Sequence, residues 1–489
     1  MEWVALVYQA MLLNHCSAQI QPLPCYIYTE SGEGMEWVAL VYQAMLLNHC
    51  SAQIQPLPCY IYTESGEGME WVALVYQAML LNHCSAQIQP LPCYIYTESG
   101  EGMEWVALVY QAMLLNHCSA QIQPLPCYIY TESGEGMEWV ALVYQAMLLN
   151  HCSAQIQPLP CYIYTESGEG MEWVALVYQA MLLNHCSAQI QPLPCYIYTE
   201  SGEGMEWVAL VYQAMLLNHC SAQIQPLPCY IYTESGEGME WVALVYQAML
   251  LNHCSAQIQP LPCYIYTESG EGMEWVALVY QAMLLNHCSA QIQPLPCYIY
   301  TESGEGMEWV ALVYQAMLLN HCSAQIQPLP CYIYTESGEG MEWVALVYQA
   351  MLLNHCSAQI QPLPCYIYTE SGEGMEWVAL VYQAMLLNHC SAQIQPLPCY
   401  IYTESGEGME WVALVYQAML LNHCSAQIQP LPCYIYTESG EGMEWVALVY
   451  QAMLLNHCSA QIQPLPCYIY TESGESSFNH TDEGNSNLV

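Results

Sequence analysis

The chain has 489 residues, is 55% hydrophobic, and carries 44 acidic residues against no lysine or arginine, a formal net charge of -44. Binding to nucleic-acid phosphates rests on Lys and Arg displacing counterions, so no nucleic acid is expected as a partner. The charge is also too dilute, and the apolar content too high, for an acidic disordered chain; there is material for a core.

Length alone suggests about three domains, but the chain is one unit copied. Residues 1–34 read MEWVALVYQAMLLNHCSAQIQPLPCYIYTESGEG, and the same 34 letters recur from Met35, Met69, Met103 and onward to Met443. That makes 14 copies, and the first departure is Ser476 in place of the last glycine. Residues 1–475 are expected to form a tandem array, and residues 476–489 a polar disordered tail with one glycosylation sequon, Asn479-His480-Thr481. Copies this uniform point to recent expansion of a 102-nucleotide unit, open in any frame that is stop-free once.

Taken in chain order, residues 3–13 are the helix expected in each unit. Ala, Leu, Met and Gln dominate them, and only Val4 and Val7 are β-branched. At 100° per residue their apolar side chains run almost all the way round, leaving Glu2 and Gln9 on one narrow polar edge that should face water. A strand over residues 3–8 is the competing assignment, because short apolar runs are ambiguous. Asn14 suits the left-handed position after a helix, and Pro22-Leu23-Pro24 stops any continuation. Residues 25–29 read as a strand, with Cys25, Ile27 and Thr29 on one face and Tyr26 and Tyr28 on the other. Residues 30–34, Glu-Ser-Gly-Glu-Gly, read as a turn into the next helix.

The expected fold is therefore α/β: an open solenoid of 14 identical 34-residue helix–loop–strand units with one short parallel strand per unit. An all-helical repeat array, or no stable fold, is the alternative. The period is that of tetratricopeptide repeats, and Trp3-x-x-Leu6 matches their opening. Val7 and Ala10, however, stand where Gly and Tyr are expected, and Pro22 and Pro24 would break the second helix. No family signature is carried.

The start of the chain has a signal-peptide outline, an apolar run followed by Cys16-Ser17-Ala18, but it has Glu2 and no cation, and it recurs in every copy. The run is about half the roughly 20 residues a membrane helix needs, so a membrane is not the expected partner. The 28 cysteines fall two per unit and read either as disulfides of an exported chain or as small buried hydrophobes.

Two constellations have metal-binding chemistry. Glu30, Glu33 and Glu36, repeated as Glu64, Glu67 and Glu70, suit Ca²⁺ or another divalent cation shared between stacked turns. They equally suit the positive end of a helix dipole. Stacked acids without cations repel one another, so a folded array should gain stability from divalent cations or mild acid. His15, Cys16 and Cys25 are soft ligands of the kind that take Zn²⁺ or Cu(I), but their spacing is no zinc-finger pattern. No nucleophile elbow, P-loop, HExxH or dinucleotide fingerprint is present, and identical units give no asymmetric pocket, so no enzyme is expected. Ladders of Tyr26, Tyr28, Tyr60 and Tyr62 would, if exposed, make an aromatic face suited to sugars, peptides or self-association. Two functional expectations follow: an expanded repeat without a selected activity, or a repetitive acidic structural or surface protein that binds divalent cations or other chains through repeated weak sites.

Overall fold

The computed structural model describes residues 2–473 apart from Cys16, residues 456–458, and the Gln-Pro-Leu-Pro segment at residues 21–24 and at its equivalents in every copy. Every regular element among the described residues is a β-strand. The first elements are β1 (Glu2–Leu13), β2 (Ser17–Ile20), β3 (Cys25–Leu47) and β4 (Ser51–Ile54). This alternation of a 23-residue and a four-residue strand then repeats, ending at Cys467–Ser473.

The chain divides into two compact units, Met1–Gly236 with Leu244–Pro262, and Glu237–Ala243 with Cys263–Val489. Each is a parallel β-solenoid. In the first, long strands pair with the next copy from Glu2–Leu13 through Cys195–Leu217, and short strands do so from Ser17–Ile20 through Ser255–Ile258. In the second, long strands pair from Cys263–Leu285 through Cys467–Ser473, and short strands from Ser289–Ile292 through Ser459–Ile462. Register is fixed by identity: Trp3 faces Trp37, and Val4 faces Val38. A slip of one residue would exchange the inner and outer faces of every strand.

The long strand is bent. Straight, its 23 residues would run about 75 Å, whereas the 12 residue-to-residue steps from Leu47 to Cys59 reach at most about 42 Å. The bend lies at the glycines. In the copy spanning Cys161–Leu183, the ladder passes from Ser167 to Glu169 and skips Gly168. The inward side chains change parity there, from Cys161, Ile163, Thr165 and Ser167 to Glu172, Val174, Leu176, Tyr178, Ala180 and Leu182. Residues seven apart in a straight strand stand about 23 Å apart, yet Thr165 Oγ1 donates to Glu172 Oε2 at 2.6 Å. The two arms thus fold over one another about Gly168-Glu169-Gly170.

The other reversal is made by Asn and His. Asn184 and His185 both hold left-handed backbone, φ 58° and 63°, a region in which these two residue types are enriched. Rung-to-rung pairing continues through it, as Asn184 N–H donates to Leu217 O and His185 N–H to Asn218 O. Asn184 Nδ2 donates to Asn150 Oδ1 at 3.0 Å. The chain then enters the short strand, with Cys186 and Ala188 turned inward and Ser187 and Gln189 exposed.

The expected α/β fold is therefore corrected, and the all-helical alternative falls with it. The helix expected over residues 3–13 is β1, and its equivalents are the second arms of the long strands. The physical reason is in the composition: an apolar run without alternation is what a parallel strand packed on both faces looks like. A helix with apolar residues all round must be covered on nearly every side. The strand over residues 25–29 is present, with Ile27 and Thr29 buried and Tyr26 and Tyr28 exposed. The turn expected at residues 30–34 is instead a corner inside a continuous ladder. Residues 22–24 and 476–489 lie outside the described residues. Among the described residues no helix is long and apolar enough to cross a membrane.

Candidate functional site

Because every copy stacks on its twin, each residue type becomes a column. Ring centroids repeat at 4.7 Å from Trp173 to Trp207, 4.8 Å from Tyr178 to Tyr212, and 4.9 Å from His185 to His219. These are the spacings of parallel strands themselves.

The chemically unusual column is inside. The equivalents of Glu36, from Glu70 and Glu104 through Glu172 and Glu206 in the first unit and Glu274, Glu308, Glu342, Glu376 and Glu410 in the second, are each 1% exposed. The side chain of Glu36 itself lies outside the described residues. The helix reading placed this glutamate on a water-facing edge; the corner glycines rotate it into the core instead. Thr165 serves Glu172 from the facing arm. In the second unit a serine joins, with Ser303 Oγ donating to Glu308 Oε1 at 2.6 Å and Thr301 Oγ1 to Oε2 at 2.7 Å. No Lys or Arg exists to neutralise the column.

Its acidity follows. Burial, and then the carboxyls of Glu206 and Glu138 above and below, push Glu172 well above the usual carboxylate range, against hydroxyl donors that pull the other way. Glu274 and Glu342 are raised for the same reasons. Burial lifts Glu206, Glu308 and Glu376 to about 7. A dry column of this kind holds protons; at neutral pH it cannot be fully ionised.

The equivalents of Glu30 stand on the outer face of the first arm, half-buried, and accept from tyrosine: Tyr164 Oη donates to Glu166 Oε2 at 3.0 Å. Burial, this bond and the nearby carboxylate raise the Tyr164 phenol to about 12. The side chains of Glu30, Glu33 and Glu67 lie outside the described residues. Two of the three glutamates grouped by sequence are thus separated: Glu64 is half-buried on the outer face and Glu70 is in the core.

Cys16 and the side chain of Cys25 lie outside the described residues, but in the copies that are described their equivalents and those of His15 are separated as well. The histidines there are exposed, while the cysteine that follows points inward; Cys186 Sγ donates to Leu183 O at 2.9 Å. The equivalents of Cys25 form a second buried column on the other arm, where hydrogen bonds with the Cys127 and Cys195 thiols raise Cys161 well above its usual value. Cys161 is thus a protonated, inaccessible thiol. Among the described residues no group of three His, Cys, Asp or Glu is placed to hold a metal ion.

The sequence reading missed two features. One is the buried glutamate column, whose signal was Thr29 and Ser31 on one side of the Gly pair and Glu36 on the other. The other is an outer face built from the second arm, described below. Comparison with known proteins finds no matching family model, no matching curated protein and no matching solved structure.

Proposed function

We propose that this chain is a repetitive, non-catalytic structural protein that engages other chains through repeated weak sites, built by recent expansion of one unit. The observation that supports this reading is the columnar register: any side chain that makes a weak contact presents it again about every 4.8 Å. Multiplication of that kind turns weak contacts into useful binding without new chemistry. Nucleic acid is outside the reading for want of Lys and Arg, and a membrane is not its partner. The test is assembly or binding measured on arrays of increasing repeat number. Apparent affinity should climb steeply with each added copy, and affinity independent of copy number removes the reading.

Divalent cations are the second ligand class within it, favoured by the outer column of Glu166, Glu200 and their equivalents. Ca²⁺ bridging successive carboxylates would relieve their repulsion. Thermal melts in EDTA and in millimolar Ca²⁺ decide the point: a higher melting temperature with Ca²⁺ is expected, and identical curves eliminate cation binding.

A further inference from the structure

The second arm of every long strand turns an uncharged row outward: Met171, Trp173, Ala175, Val177, Met181 and Leu183 in one copy, each half-buried. Gln179 is the one polar member. One N–H of its amide is bonded along the column, Gln179 Nε2 donating to Gln213 Oε1 at 3.1 Å, so drying the row leaves that bond in place. We propose that this face docks the same face of a second copy of the chain, a proposal that rests on the structural reading above and names its partner.

Three observations select a second copy. The first is charge. The chain is strongly acidic, yet from Met171 to Leu183 the outward row carries no acid; Glu172 points inward, Glu166 belongs to the other arm, and Glu169 stands at the corner, its side chain outside the described residues. Two such faces meet without opposing carboxylates, and a basic partner would find nothing on this face to pair with. The second is shape. The Ala175 column is a trough between the Trp173 and Val177 columns, and a ridge of tryptophans stacked at 4.7 Å fits a trough of identical period. Only an object repeating at the strand spacing meets it at every rung, and a two-fold contact places each molecule's ridge in the other's trough. The third is size. The whole second arms of the first unit, seven from residues 2–13 to 205–217, present about 1,300 Å² at about 3.3 Å per residue and 4.8 Å per rung. A stable interface takes about 800 Å² from each partner.

The experiment is sedimentation velocity of the full chain over rising concentration, with circular dichroism and tryptophan emission on the same samples. A β-rich monomer should convert to a dimer with a blue shift in emission, and added salt should favour the dimer by screening the remaining acids. Val177→Thr, made at every equivalent position, keeps the β-branch and should weaken the dimer at least tenfold. Ala175→Val at every copy, which fills the trough while keeping the face apolar, should do the same and serves if the threonine variant fails to fold. A β-rich chain that stays monomeric overturns the proposal and leaves the structural reading standing, as does dimerisation indifferent to both variants. Flotation of the monomer with neutral phosphatidylcholine vesicles assigns the face to lipid and likewise overturns it. A chain without β-structure removes the structural reading itself.

Discussion

A tyrosine in a dry interior needs somewhere to put its hydroxyl. Tyr110, Tyr144 and Tyr178 are 2% exposed, and their hydroxyls are buried with no hydrogen-bond partner among the described residues. Burial raises the Tyr178 phenol far above its ordinary value, so the group stays neutral. An unmet buried hydroxyl costs about 1–3 kcal/mol, and removing it while keeping the ring removes that cost. Tyr178→Phe is therefore expected to stabilise the array by about 1 kcal/mol, read as a higher urea midpoint at unchanged slope. A lower midpoint would reveal a bond that the geometry does not contain. The sequence marked Tyr26 and Tyr28 as one face of a strand, and they are. It assigned no inward role to Tyr8 and its equivalents, because a helix gave every apolar side chain in that stretch an equal claim to burial.

At the scale of the element, the corner is where the sequence pattern was hardest to read. The run from Trp3 to Leu13 has no period of two, since both faces of the arm are apolar, and its absence favoured a helix. What decides for a strand is the identity of the copies: an in-register ladder stacks Trp on Trp and bonds Gln to Gln at each rung, a gain invisible within one unit. Glycine was legible as a break but not as a corner. At Gly204 a Cβ would collide with the carbonyl oxygen of Gly170, backbone that cannot yield. Gly204→Ala should thus cost at least the 1–3 kcal/mol typical of overpacking, and because each rung is held by its neighbours, the loss should spread along the stack. Hydrogen exchange would register it as faster exchange on both sides of the substituted rung. Protection lost at that residue alone would mean the rungs are independent.

For the molecule as a whole, the inner glutamates tie folding to protons. In the unfolded chain each titrates near 4.5, whereas in the fold burial lifts Glu206, Glu308 and Glu376 to about 7 and holds Glu172, Glu274 and Glu342 well above the usual carboxylate range. Between those values the native state binds more protons than the unfolded one, so stability falls as pH rises. The contribution is complete below about pH 4.5 and drains away as pH rises through about 7. This reverses the usual behaviour of salt-bridged carboxylates, which stabilise as they ionise. The groups facing the column are the Thr and Ser hydroxyls of the first arm and the glutamates above and below, none of them a cation. Thermal melts from pH 4 to 8 should show the melting temperature dropping steadily with pH. Glu→Gln at the inner position of every copy should flatten that dependence, since the amide has no proton to lose; its oxygen accepts from one hydroxyl and its NH2 donates to the other. Screening by salt separates the surface: repulsion among exposed acids weakens at high ionic strength, whereas a buried column is little affected. A slope that survives the Gln replacements but vanishes in salt would place the pH dependence on the surface and leave the inner column without a part in it.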